Sequence, residues 1–477
     1  MTNELKLLLI VLVPVIGAFV AGAAGFISAR LRNALSLIFV LVSFALSLTL
    51  IKPVLAGLTI TVAKQFPLGF NFILNADGLA VFMAIVSTLV SSLIVLYSFG
   101  YISHYENQNE YYLMVVLFIG SMMGLVFSGN LILLYVFWEI TTITCWRLIG
   151  FFRKEDDVIK SNKAFLVTVF GALMMLIGFI MIYMQAGSFD LNVIKETYKG
   201  GHIPGLAVML ILFGILSKSA TLPLHTWLPD AGVAPSPVTA ILHAAVLVKI
   251  GVYVFARLFV VTAGIGQVWQ VIVPLIAGAS AMVAAGAALI ETDMKRIIAY
   301  STISQIGFIF LGLSVGSDIG FAGALLYILM HGIAKGGLFL CAGIVEQNAR
   351  TKDITKLGGL ISTMPVTAVS FLFCAFSVMG IPPFGGFFSK YMVIAGAVKS
   401  GHFLIGLFFI CTAFLTIIYL LRLFNLIFLG EQKINAKEGS AVMVVSVALL
   451  AILSLASGIF VKYPASFVNN IVGWVWR

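Results

Sequence analysis

The chain has 477 residues, 61% of them hydrophobic and only 10% charged, with a net charge of +10. A soluble globular domain carries about 25% charged residues, so this composition excludes a water-soluble fold and demands lipid. The positive balance does not point to nucleic acid, because Lys and Arg are scattered over short loops and helix ends and no nucleic-acid-binding fold is legible.

Apolar runs predict an all-α polytopic membrane protein of about fourteen transmembrane helices, each of roughly 17–25 residues. The first thirty residues carry small side chains near Ala21 that resemble a cleavage site. Their apolar run is too long for a signal peptide, so they read as helix 1, closed by Arg30 and Arg32. Helices 2 and 3 follow at about 34–50 and 78–102, separated by an alternating stretch, Leu68 to Leu74, that suggests a small hairpin. Helix 5 carries Glu139 about eight residues, or roughly 12 Å, from its start. Helix 6 runs from about 164 to 185, after a charged loop at 153–163. Helix 7 starts near Pro204 and breaks around Pro223; helix 8 spans about 237–259. Helices 9, 10 and 11 are expected near 271–290, 296–315 and 321–345. Helix 12 begins near Pro365, breaks at Gly380 to Gly386 and resumes through Lys390. Helices 13 and 14 lie near 403–429 and 441–461.

Broken helices 7 and 12 are separated by an odd number of spans. Units of helices 4–8 and 9–13 therefore run in opposite directions, the pattern of two inverted five-helix repeats around an ion pathway. This divides the chain into 1–110 (helices 1–3), 111–262 (first repeat), 263–430 (second repeat) and 431–477 (helix 14). Allocating loop charges by the positive-inside rule places both termini outside the plasma membrane.

Glu139, Lys218, Lys249, Lys335 and Lys390 sit inside spans. An ionised group at a helix centre costs about 2.5–3.5 kcal/mol on insertion scales, so each is a functional candidate. A structural ion pair of Glu139 with Lys218 is the plain alternative, but buried pairs are weak stabilisers. Lys249 lies too deep to reach an interface by snorkelling. Lys335 and His331 share a helix face at i, i+4. His243 stands about 120° round helix 8 from Lys249, so it serves either as a relay or as a packing residue. Lys390 follows the second break and is expected to face water. A row of lysines opposes bare sodium and suits protons; a sodium site would want carbonyls and carboxylates.

Cys145, Cys341, Cys374 and Cys411 stand singly and show no metal-binding spacing, so no metal or cofactor is expected in this chain. No phosphate-binding GxxxxGK[ST] loop occurs, so the work must come from an ion gradient or a partner.

Four stretches carry a resemblance: LPLHTWLPDAGVAPSPVTAILHAAVLVKIGVYVFAR at 222–257, TDMKRIIAYSTISQIGFIFLGL at 292–313, HGIAKGGLFLCAG at 331–343 and MGIPPFGGFFSK at 379–390. They resemble the antiporter-like subunits of complex I. The same family includes the D subunit of Mrp sodium/proton antiporters and the pumping subunit of membrane-bound hydrogenases. The resemblance covers roughly residues 70–430. FWEITTITCWRLIGF at 137–151 matches the helix 5 motif, with Arg147 where a small or apolar residue is commoner.

The resemblance implies that Glu139 is the helix 5 glutamate, Lys218 its helix 7 partner, Lys249 the central lysine and Lys390 the exit residue. His243 and His331 also fall on motif positions. The implied function is proton pumping by a membrane subunit of a redox-driven complex, with other membrane subunits and hydrophilic redox subunits as partners. Iron–sulfur clusters are then expected in those partners, and no redox chemistry in this chain. The alternative is a D-type subunit of an Mrp antiporter without a redox partner.

Overall fold

The computed structural model describes residues 1–65 and 71–475. Its elements are α1 (Asn3–Ala24), α2 (Ala29–Thr49), strands β1 (Ile60–Gln65) and β2 (Asn71–Ala76), α3 (Gly78–Tyr101), α4 (Gln108–Phe127), α5 (Leu131–Ile149) and α6 (Glu155–Ala186). There follow α7 (Gly205–Lys218), α8 (Ser236–Thr262), α9 (Gln267–Ile290), α10 (Met294–Ser314) and α11 (Asp318–Ala349). The chain closes with α12 (Pro365–Met379), α13 (Gly385–Lys399), α14 (Phe403–Phe428), α15 (Ala441–Ile459) and α16 (Lys462–Val475).

Among the described residues, 12 helices are long and apolar enough to cross a membrane, and α7 and α12 are shorter apolar helices. α7 and α12 are the first halves of the two interrupted spans, and α13 resumes the second. The polytopic all-α architecture expected from hydropathy is therefore the one observed, and the chain is a multi-pass membrane protein.

The helices start where side chains satisfy the free N–H groups of a first turn. Asp77 accepts from the Ala80 N–H, Asn130 from Ile132 and Leu133, Asp293 from Lys295 and Arg296, and Ser317 from Gly320. α7 stops at Lys218, before a segment whose Pro223, Pro229 and Pro235 cannot donate to a helical ladder. α12 stops at Gly380, whose φ of 82° is a left-handed cap that favours glycine. A Cβ on Gly386 would stand 1.7 Å from the Ser377 carbonyl oxygen, so only glycine lets α13 lie against the end of α12.

Burial sorts the helices into centre and rim. The hydrophobic stretches of α10 and α11 are 94% buried and that of α8 is 89%, against 28% for α2 and 33% for α14. The central helices are the ones that carry Lys249, His331 and Lys335. α8 is not uniformly wound: Ile241–Ala245 and Ala256–Thr262 are π-helical, on either side of Lys249. Such wide turns concentrate at functional sites.

Several expectations shift. Arg30 and Arg32 lie in α2 rather than closing helix 1. Arg32 is buried, bonded to Gln108 and Asn109 and set over the Tyr112 ring. The charged stretch 153–163 is mostly the first turns of the long α6, with three acidic residues at its N-terminus. The hairpin exists as β1 paired antiparallel with β2, Ile60 opposite Ala76; Leu68 itself lies outside the described residues. α16 was not anticipated. Its 14 residues are too few to span, and only Val468 and Ile471 are buried, so hydropathy alone does not find it.

Candidate functional site

Two polar clusters occupy the interior. The first is built on α5 and the end of α7. The Lys218 ammonium donates to the Trp138 carbonyl at 3.0 Å, to Thr141 Oγ1 at 3.0 Å and to Thr142 Oγ1 at 2.5 Å. It also lies 5.0 Å from the Trp138 ring centre. Three acceptors saturate its three N–H bonds.

The expected direct ion pair between Lys218 and Glu139 is not formed. Glu139 follows Trp138 on α5 and projects about 100° round the helix from it. Its Oε1 is buried without a hydrogen-bond partner. Neutral oxygens of α5 thus hold the lysine, and the carboxylate of Glu139 makes no ion pair with it and is hydrogen-bonded to Tyr135 instead.

The second cluster joins α8, α10, α11, α12 and α13. Lys249 Nζ and His331 Nδ1 are 2.5 Å apart, and neither residue is exposed. Two basic nitrogens in contact share one hydrogen bond, so one of them must present a lone pair. Lys335 Nζ donates to the Ile298 carbonyl at 3.1 Å. Lys390 Nζ donates to the Val378 carbonyl, near the interrupted end of α12, at 2.7 Å. Lys390 is only 4% exposed, so it does not face water as expected; the chain folds α13 back so that its ammonium meets the open carbonyls of α12.

His243 lies in the first π-helical stretch of α8. Its ring is 4.3 Å from that of Phe339, and neither ring nitrogen has a partner. His331 Nε2 is likewise unpartnered. Between the two clusters α7 and α8 touch closely: a Cβ on Gly251 would sit 1.9 Å from Ser219 Oγ. The hydroxyls of Ser219 and Thr221 there are buried without partners.

Other polar residues in the interior escaped notice in the sequence. Gln305, Tyr327 and Tyr419 form a buried hydrogen-bonded group on α10, α11 and α14. Their only signal is an amide and two hydroxyls in apolar runs, which carry no formal charge. Lys295 reads as a loop charge, yet it is 1% exposed, 2.7 Å from Glu346 and bonded to the carbonyls of Gly232 and Ala234. It fastens the proline-rich segment that leads into α8.

At the same end of the molecule Asp230 bridges the two halves, 2.7 Å from Lys163 and 2.6 Å from Arg296. Partial burial pushes its carboxyl up, but the hydrogen bonds and charges of those two cations hold it below the usual carboxylate range. A cavity of about 230 Å³ lies at the opposite end, between the hairpin side of α8 and α16. It contains no member of the lysine row, and proton movement between adjacent side chains requires no ligand-sized chamber.

The family described as NADH:quinone oxidoreductase/Mrp antiporter, TM, matches residues 128–416, more than half of the chain. The chain belongs to this family. A second family, NADH-ubiquinone oxidoreductase (complex I), chain 5 N-terminus, matches residues 63–112. The resemblance read from the motifs is borne out.

Relatives include the Na(+)/H(+) antiporter subunit A1 of Staphylococcus haemolyticus, 35% identical over 465 residues, covering 90% of this chain and 57% of the relative. The subunit A1 of Staphylococcus aureus strain JH9 is 34% identical, covering 91% of this chain and 58% of the relative. The chain thus spans little more than half the length of these relatives. Among solved structures, a chain of the Mrp complex from Dietzia sp. DQ12-45-1b superposes with a TM-score of 0.91 at 22% identity, over 100% of this chain and 98% of that one. A chain of the membrane-bound sulfane sulfur reductase, an archaeal respiratory membrane complex, gives 0.89 at 24% identity, over 99% and 98%. These two likenesses establish the fold.

Proposed function

We propose that this chain is the proton-translocating, antiporter-like subunit of a multi-subunit assembly in the cell membrane. The observation that carries the reading is the contact between Lys249 and His331. It is a buried pair of basic groups sharing one hydrogen bond, accompanied by Lys335 on α11 and Lys390 on α13. Such a pair can accept a proton from one side and release it to the other without either group leaving the interior.

Lys218 and Glu139 form the input. Without an ion pair to Lys218, the carboxylate can respond to a neighbouring subunit while α5 oxygens keep the lysine in place. A unit charge moved to within 10 Å of a buried site changes its energy by about 1.7 kcal/mol at an effective dielectric of 20, more than tenfold in proton occupancy. A change of charge at Glu139 therefore acts first on the proton occupancy of Lys218, and the proton moves on from there through Lys249. The proton then passes through His331 towards Lys335 and Lys390. On the expected division into two inverted repeats, 111–262 and 263–430, the first cluster falls in the first repeat, and the second joins Lys249 of the first repeat to His331, Lys335 and Lys390 of the second.

Two assemblies host such a subunit. Curated relatives named as sodium/proton antiporter subunits favour an antiporter complex without redox partners. The fold shared with a chain of the sulfane sulfur reductase favours a redox-driven complex, in which hydrophilic partner subunits would carry the iron–sulfur clusters. In either, the ion step in this chain is the same.

The test is purification of the assembly through a tag on this chain, with proton movement measured after reconstitution into vesicles. Lys249→Ala should assemble normally and lose proton movement. Normal transport by that variant would sink the proposal. Iron in the purified wild-type complex would select the redox assembly; its absence, with sodium-dependent proton movement, would select the antiporter.

A further inference from the structure

Lys390 is held by more than the Val378 carbonyl. Its ammonium lies 4.6 Å from the ring centre of Phe308 on α10 and 5.7 Å from that of Tyr327 on α11. Both distances fall within the roughly 6 Å over which a ring face attracts a cation. The two rings meet edge to face at 6.2 Å, so they form two walls of one corner. No carboxylate pairs with Lys390 among the described residues.

The second wall is tethered. Tyr327 donates its hydroxyl to Gln305 Oε1 at 2.6 Å. Gln305 Nε2 in turn donates to Tyr419 at 3.4 Å and Thr416 at 3.3 Å, and Tyr419 donates to Ser301 at 2.8 Å. Every member is buried. An amide accepts at oxygen and donates at nitrogen; passing a proton through it would require the unfavourable imidic acid form. The group is therefore a poor proton wire and a good anchor. The other edge of the same Tyr327 ring faces His331, with ring centres 5.9 Å apart.

We infer that Phe308 and Tyr327 form an aromatic cradle that positions the Lys390 ammonium relative to the Lys249–His331 pair, and that Gln305 is the residue that locks the cradle. Neither ring exchanges a proton. They stabilise a cation in a place without a counter-ion, and the locked Tyr327 ring sets the spacing between His331 and Lys390. The inference deepens the proton-translocation reading and rests on it.

The experiment uses the assembled complex in vesicles. Replacing Phe308 by mono-, di- and trifluorinated phenylalanine keeps the shape and progressively drains the ring face of negative charge. Proton movement should fall stepwise, by about threefold to tenfold at full fluorination. Tyr327→Phe keeps the ring and should retain at least about a third of the rate, whereas Tyr327→Leu should lose about tenfold. A flat fluorination series, or equal loss in Tyr327→Phe and Tyr327→Leu, would overturn the cradle while leaving the pathway standing. Normal transport by Lys390→Ala would instead overturn the role of Lys390 and the cradle with it. The fluorinated series carries the test even if Tyr327→Leu fails to assemble.

Discussion

Lys249 on α8 and His331 on α11, 82 residues apart in sequence, meet nitrogen to nitrogen at 2.5 Å in the interior. If the proposed pathway runs through this contact, the two residues act as one unit. His331→Ala should therefore disable translocation nearly as fully as Lys249→Ala, by at least tenfold. The double variant should be no worse than either single one, because effects of groups that act as a unit do not add. Proton uptake by reconstituted vesicles measures all three; additive losses would show that the two work separately.

Thr142 accepts the shortest of the three hydrogen bonds to Lys218. Hydrogen bonds to charged groups contribute about 1.5–3 kcal/mol. Thr142→Val preserves the shape and removes that acceptor. The freed ammonium should turn towards Glu139, giving the ion pair that the native arrangement avoids. Transport should slow by about tenfold, and a further Glu139→Gln change, which abolishes that ion pair, should change the rate again.

Asp77 and Arg257 pair two-fold, 2.5 and 2.8 Å apart, where α3 begins and α8 nears its end. Removing one partner of a buried pair leaves an uncompensated charge and costs about 3–5 kcal/mol, whereas replacing both by apolar groups is often neutral. Asp77→Asn should lower the melting temperature of the detergent-solubilised chain clearly. Asp77→Leu with Arg257→Met should restore only part of the loss, because the cap that Asp77 gives the Ala80 N–H goes with it.

Asp230 sets a pH limit. Lys163 and Arg296 hold its carboxyl below the ordinary value. A depressed folded-state value stabilises the fold above the unfolded carboxylate pKa of about 3.9, and that stability is lost as pH falls through the depressed value. Thermal stability of the wild type should thus drop below about pH 4 more steeply than that of Asp230→Asn. At neutral pH the variant should be the less stable of the two. Parallel curves for the two proteins would remove Asp230 from the set of groups that bind the halves together.

Glycine contacts give a steric test. A Cβ on Gly458 would stand 1.9 Å from the Pro383 carbonyl oxygen, whereas one on Gly286 meets nothing within 4 Å. Gly458→Ala should push α15 away from the break between α12 and α13 and impair assembly. Gly286→Ala should be silent or slightly stabilising, as alanine favours a helix by up to about 1 kcal/mol. Yields and melting temperatures of the two purified variants decide the matter.

The charged members of the site were legible because an ionised group inside an apolar run stands out at once. Lys249 needed only its depth, and Lys335 with His331 only their i, i+4 spacing. Their partners were not legible. Whether Lys218 meets Glu139 or the threonines beside it depends on the rotation of α5 against α7, which no single-helix pattern contains. Lys390 was expected in water because the break beside it was visible, while the folding of α13 back onto α12 was not. Gln305 and Tyr419 escaped because neutral polar groups in a span are common and acquire meaning only when three helices converge. α16 escaped for a different reason: hydropathy detects spans, and a short helix half in contact with the protein is not one.

That last helix changes how the chain is connected. Phe467 reaches Phe82 of α3, and Ile471 and Trp474 lie where side chains on Gly78 and Gly57 would go. α16 thus returns to the first quarter of the chain, and in polymer terms the stretch from α3 to α16 is a loop closed by contact rather than by a bond. A single cut in the connection between α11 and α12 would leave two fragments that still hold each other along α3 and α15 as well as across the central helices. The protein is accordingly a candidate for assembly from two separately made pieces.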